Sequence, residues 1–428
     1  MNHLTKLLAL ATFTASGPLA AQTQDLSPLE DLGRALFFDV DLSVGRNQSC
    51  ASCHDPAFGF TSPVAETNRT HGVVEGSVSG RFGNRRPPSA AYVSPGPVFH
   101  HTWDDGDILF VGGAFLDGRA TGHQLGTVTA DQALGPFLNP VEMGLPHAAC
   151  VVMRACEADY ADQFTTLAGT AICTIDWPHS LAAACETPEA EIVLDEETAA
   201  STDAAMAAIA RAIATYEASP EVNRFSSRFD RYLAGETEAL SELERTGLDI
   251  FDTKGECSAC HVLSKGPRGE PPLFTDFTYD NLGVPPNPSL PWYNQTAFNP
   301  DGADWRDPGL ADFLSKDPIY APFAADLRGA HKVPTLRNLT KGATEQNPRA
   351  YMHNGYFKTL EGVVHFYNTR DTLPACNSAA TEAEAMAAGC WPAPEIAETM
   401  NTDELGDLKL TPEEEAALVA FLRTLDDE

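Results

Sequence analysis

Two pentads carry the most specific chemistry in this chain: Cys50-Ala51-Ser52-Cys53-His54 and Cys257-Ser258-Ala259-Cys260-His261. Two thiols three positions apart can each bond a vinyl group of one porphyrin. The histidine beside the second thiol can then reach the iron as an axial ligand. A zinc clip explains the pattern less well, because its ligands would have to converge from pairs half a chain apart. A redox Cys-x-x-Cys gives no reason for the histidine that follows both times. We therefore expect two covalently bound c-type haems, one on Cys50, Cys53 and His54 and the other on Cys257, Cys260 and His261.

Two cofactors of that size need two enclosures. At 428 residues the chain is long enough for two or three domains with their own cores, and one pentad in each half predicts two. A polar start with Lys6, an apolar run from Leu7 to Phe13 and small residues to Ala20-Ala21 read as an export signal at residues 1–21. Residues 22–220 and 221–428 are expected to form an N-terminal and a C-terminal cytochrome c-like haem domain. No later apolar run is long enough to span a bilayer. The mature chain is expected in the periplasm, where an oxidising environment also favours disulfides.

Six cysteines remain outside the pentads. Their close spacing favours Cys150 with Cys156, Cys173 with Cys185, and Cys376 with Cys390, out of fifteen connectivities. The net charge is −32, with 28 Lys and Arg against 60 acids. Such acidity argues against nucleic acid and anionic membranes as partners. It suits solubility or a basic redox partner.

The elements that must hold the pentads read as mainly α, with long loops and little strand. Asp25 to Asp39 carries Leu29, Leu32, Leu36 and Phe37 near helical period and leads into the first pentad. Asp55 to Gly113 is rich in Gly, Pro and Ser and reads as loop. Asp195 to Leu233 is alanine-rich and helical, broken at Ser219-Pro220, where the domain boundary is set. Ser241 with Glu244 caps a helix to Phe251 that delivers Cys257. Gly266 to Pro308 is again loop-rich. Thr411-Pro412-Glu413-Glu414 opens a final helix with Leu418, Phe421, Leu422 and Leu425 on one stripe.

Around the pentads five blocks occur in order: Leu32 to Asp39 (LGRALFFD), Phe115 to Ala120 (FLDGRA), Gly135-Pro136 through Glu142-Met143, Lys332 to Asn338 (KVPTLRN) and Tyr351 to Gly355 (YMHNG). This set resembles the bacterial di-haem cytochrome c peroxidase and MauG superfamily over roughly residues 27 to 425. The resemblance implies that the haem on His54 reacts with hydrogen peroxide, with Glu142 and Gln132 beside it. A carboxyl there makes chemical sense: one peroxide oxygen must lose a proton and the other gain one, and a single carboxylate can do both.

The same resemblance implies that the residue fourteen after His353 ligates the second haem, and that residue is Tyr367. Tyrosine here is the MauG pattern, where the peroxidases have methionine. Leu360, Val363, Val364 and Tyr367 share one helical face. His365 points away from that face, and Met352 is the fallback ligand. The nearest upstream histidine to the Arg85-Arg86-Pro87-Pro88 stretch is His71, too distant for a removable sixth ligand, so the first haem is expected to be open without prior reduction. Leu116 replaces a tryptophan thought to relay electrons, which leaves Trp103, Tyr92 or Phe115 to take over. Arg86 replaces the asparagine of a calcium site between the domains, with Asn84 the nearest substitute.

His100, His101 and His123 read as surface residues, and Trp292, Trp305 and Trp391 as packing or surface aromatics. The resulting expectation is a periplasmic di-haem peroxidase of the MauG-like branch, with oxidation of a protein substrate as one outlet. The alternatives are a cytochrome c peroxidase fed by a small cytochrome or cupredoxin, and a non-enzymatic electron carrier.

Overall fold

The computed structural model describes residues 25–428 apart from 105, 170 and 171; the export signal expected at residues 1–21 lies outside the described residues. The helices used below are α1 (Pro28–Phe38), α2 (Val128–Ala133), α3 (Ala148–Ala155), α4 (Glu196–Glu217), α5 (Glu242–Asp252), α6 (Leu360–Thr369) and α7 (Pro412–Leu422). Two short antiparallel ribbons add strand: β1 (His100–Asp104) with β2 (Asp107–Val111), and β3 (Tyr279–Asp280) with β4 (His331–Lys332). The chain is mainly helical with little strand, as expected.

The same helix crossing occurs twice. Ser27 with Glu30 and Ser241 with Glu244 form capping boxes that start α1 and α5, each of which runs toward a pentad. α1 packs on α4 and α5 packs on α7. At the first crossing a methyl on Gly33 would lie 2.0 Å from the Ala212 carbonyl oxygen; at the second a methyl on Gly247 would lie 2.0 Å from that of Ala417. Only glycine permits so close a backbone approach. An aromatic four residues further on, Tyr216 or Phe421, covers each glycine from the other side.

The apolar core divides with the crossings. One cluster gathers Leu32, Leu36 and Phe37 of α1 with Ile209, Ile213 and Tyr216 of α4 and the wall around α3. The other gathers Ile250 and Phe251 of α5, Leu360 and Val364 of α6, and Leu418, Phe421 and Leu422 of α7.

Three sequence expectations need correction. The stretch Asp55 to Gly113 is not all loop: it holds the β1–β2 hairpin and a short helix, Ala65–Arg69. The alanine-rich helix ends at Glu217, and a separate short helix, Arg228–Leu233, follows the Ser219-Pro220 break. The disulfides are Cys150–Cys185 and Cys156–Cys173, nested instead of sequential, while Cys376–Cys390 forms as expected. Helix geometry forbids the neighbour pair. Cys150 lies in α3 and Cys156 caps it, so six helical residues hold their Cα atoms about 9 Å apart, beyond disulfide reach.

Candidate active site

Each pentad begins as a tight turn, Cys50–Cys53 and Cys257–Ala259, that follows the helix crossing and points into one cavity of about 450 Å³. All four thiols outside the disulfides belong to the pentads, and all line this cavity. Burial pushes the Cys53, Cys257 and Cys260 thiols up to about 12, and Cys50 higher still. They are neutral groups in an apolar wall, the environment a thioether-linked porphyrin needs.

The histidines carry the sharper test. His54 donates from Nδ1 to the Phe60 carbonyl at 3.1 Å, and His261 from Nδ1 to that of Phe274 at 2.7 Å. A carbonyl can only accept, so the proton sits on Nδ1 and each Nε2 keeps its lone pair for a metal. Burial lowers both imidazoles further below protonation. Phe60 and Phe274 both adopt left-handed backbone, with φ of 58° and 54°. That strained conformation aims the two carbonyls, and nothing in the sequence signalled it. The residues fit two haems held by Cys50, Cys53 and His54 and by Cys257, Cys260 and His261.

Gln132, at the end of α2, and Glu142 line the cavity together with His54, Phe115, Leu116 and Arg119. Burial pushes the Glu142 carboxyl above the usual range, while the Arg119 charge and a 2.8 Å hydrogen bond from Asn139 pull it back. The group can therefore hold a proton and release it within a moderate pH span. His71 stands outside the cavity wall, its ring 5.3 Å from that of Phe82.

α6 turns Leu360, Val363, Val364 and Tyr367 to the cavity wall. The Tyr367 hydroxyl has no hydrogen-bond partner among the described residues, and it is close enough to Cys257 and Cys260 to feel them electrostatically. Burial is the larger influence and drives its ionisation well upward. His365, on another face, bonds Glu415 through Nδ1 at 3.0 Å. Met352 also lines the cavity, and its carbonyl accepts from Arg86 Nε at 2.7 Å.

The calcium expectation meets an obstacle in Arg86. Its guanidinium is buried and bonds the carbonyls of Met352 and Pro87, so a fixed positive charge already takes oxygens that a hard cation would need. Burial, with Arg349 nearby, lowers it to about 10. These residues do not make a calcium site. Of the aromatics proposed to replace the relay at Leu116, Trp103 is 60% exposed on β1 and away from the cavity, whereas Tyr92 and Phe115 line it.

Two buried pentads with free Nε2 atoms on one cavity define a di-haem c-type protein. A family model for di-haem cytochrome c peroxidase matches residues 27–238. The chain is 34% identical to the methylamine utilization protein MauG of Paracoccus denitrificans, over 99% of this chain and 95% of that protein. It is 25% identical to the cytochrome c551 peroxidase of Nitrosomonas europaea, over 81% and 75%. Among solved structures, the diheme peroxidase BthA from Burkholderia thailandensis superposes with a TM-score of 0.71 at 28% identity, covering 97% of this chain and 89% of that one. The chain belongs to the di-haem cytochrome c peroxidase and MauG family. It is a di-haem peroxidase with two covalently bound c-type haems.

Proposed function

We propose that this is a periplasmic peroxidase of the MauG-like branch, built as two cytochrome c-like halves divided near residue 220, whose outlet is oxidation of a protein substrate. The observation that carries the reading is the Tyr367 hydroxyl, turned into the cavity beside Cys257 and Cys260 without a protein partner. An unbonded buried hydroxyl costs free energy unless something absent from the protein satisfies it. A phenolate on the second iron does so, and His261 supplies the opposite ligand.

When bound, the haems supply the redox equivalents that reduce peroxide to water. The protein's share is proton handling and positioning. Glu142 takes the proton from the incoming peroxide oxygen and returns it to the departing one. Gln132, on the same wall, orients the peroxide through its amide, and Phe115 and Phe137 exclude bulk water. Tyr367, as an anion, lowers the potential of its haem relative to methionine, so that half stores oxidising power. Peroxide accepts two electrons and two protons, and the substrate's side chains give them up. The three disulfides and the leader support export. Among the described residues no helix is long and apolar enough to cross a membrane.

Rapid mixing of the diferric holoprotein with hydrogen peroxide tests the enzyme reading. A fast absorbance change at substoichiometric peroxide is expected, and Glu142→Gln should slow it at least about a hundredfold. A silent spectrum would leave an electron carrier instead. Steady-state turnover with reduced cytochrome against candidate protein substrates decides the outlet.

A further inference from the structure

Arg119 lies in the block Phe115 to Ala120, which served above only to identify the family. Its guanidinium carbon sits 3.7 Å over the Phe115 ring, and a methyl on Gly135 would meet the edge of that ring at 3.4 Å. Gly135 follows Gln132 by three residues and opens the loop to Glu142, so Arg119 is stacked on the wall of the peroxide pocket and lines it. The guanidinium does not reach solvent freely, because Asp117 bonds it through Oδ2 and also accepts from the Arg119 backbone N–H at 3.3 Å. Asp117 is 4% exposed and is itself bonded by Arg85 at 2.6 Å. Arg85 grips Asp307 with Nε and Nη2 at 2.6 and 2.7 Å.

We propose that Arg119 is a positioning cation for the peroxide chemistry, clamped by Asp117 and Phe115 so that its charge faces Glu142 and sets how readily that carboxyl gives up its proton. The inference rests on the reading of Glu142 as the proton carrier. Other groups do not compete for the role. Asn139 is neutral, the Cys50 and Cys53 sulfurs are uncharged once attached, and Arg81 bonds Glu189 and the Pro140 carbonyl. Burial alone would hold Glu142 protonated and idle as a base. The Arg119 charge opposes that, as its favourable interaction with the carboxyl requires. Since 44% of the Arg119 side chain is exposed, solvent screens the effect and the shift is modest.

The test measures Glu142 directly in the holoprotein, by infrared pH titration of its carboxyl stretch, isolated by subtracting Glu142→Gln. Arg119→Gln should move the midpoint up by about half a pH unit, and Arg119→Lys should restore it. Below the midpoint, the peroxide reaction of Arg119→Gln should slow about threefold, the change in carboxylate fraction that half a unit brings. An unchanged midpoint in Arg119→Gln, with the haem spectra intact, overturns the proposal. So does an equal shift in Arg119→Gln and Arg119→Lys, because then shape and not charge is responsible. If Glu142→Gln reacts as fast as the parent, the proton-carrier reading fails on its own, and the midpoint still decides whether Arg119 tunes this carboxyl.

Discussion

Tyr367 and Glu217 are buried acids with opposite lessons. Burial opposes ionisation of the Tyr367 phenol, so only a metal cation facing it makes the phenolate the stable form. Tyr367→Met removes that anion and should raise the potential of the second haem by at least about 100 mV in a spectroelectrochemical titration; an unmoved potential would sink the ligand assignment. Glu217 is 5% exposed, ends α4, lines the cavity, and burial pushes it up to about 8. A helix C-terminus further disfavours an anion there. Its folded value is raised, so the native chain holds a proton that the unfolded chain releases near pH 4.3, and stability falls as pH rises from about 4.3 to about 8. Glu217→Gln should therefore leave the melting temperature nearly unchanged at pH 5 and raise it at pH 9, by an amount corresponding to about 2–5 kcal/mol. At this scale the haem ligands were legible because covalent attachment demands a local pattern. Glu142 and Tyr367 were legible only as offsets within blocks. Arg119 and the carbonyls of Phe60 and Phe274 were missed, since a stacking partner and a left-handed backbone leave no local trace.

The element that decides each half is the glycine crossing. A methyl at Gly33 or Gly247 cannot be absorbed by a side-chain rotation, because what it strikes is the backbone carbonyl of Ala212 or Ala417. Gly33→Ala and Gly247→Ala should each destabilise by about 1–3 kcal/mol in denaturant titration, through separation of the helices; a variant as stable as the parent would show that the crossings slide. Capping boxes at Ser27, Ser241 and Thr411 made these helices readable in advance. The disulfides were misread because proximity in sequence ignores the direction in which a helix turns its side chains. The β1–β2 hairpin was missed because its turn lacks a short glycine signal flanked by clean alternation.

Across the whole molecule the halves are joined by buried charge. Asp307 reaches Arg85, Arg85 reaches Asp117, and Asp117 holds Arg119. Burial works against the Arg85 charge, yet Asp307 and Asp117 outweigh it and raise its proton affinity. Arg85→Met should strand two carboxylates and cost about 3–5 kcal/mol in equilibrium unfolding. A second join centres on Asp427, which accepts from the Tyr92 hydroxyl at 2.7 Å and from Asn338 Nδ2 at 2.9 Å. None of these long-range pairs is visible as a motif, since their partners lie up to 335 positions apart. The duplicated crossing has its own consequence for assembly. Each pentad inherits a separate scaffold, so a lesion at one glycine should bleach one chromophore and spare its sibling, yielding a red, half-loaded species whose absorbance reveals which chamber failed.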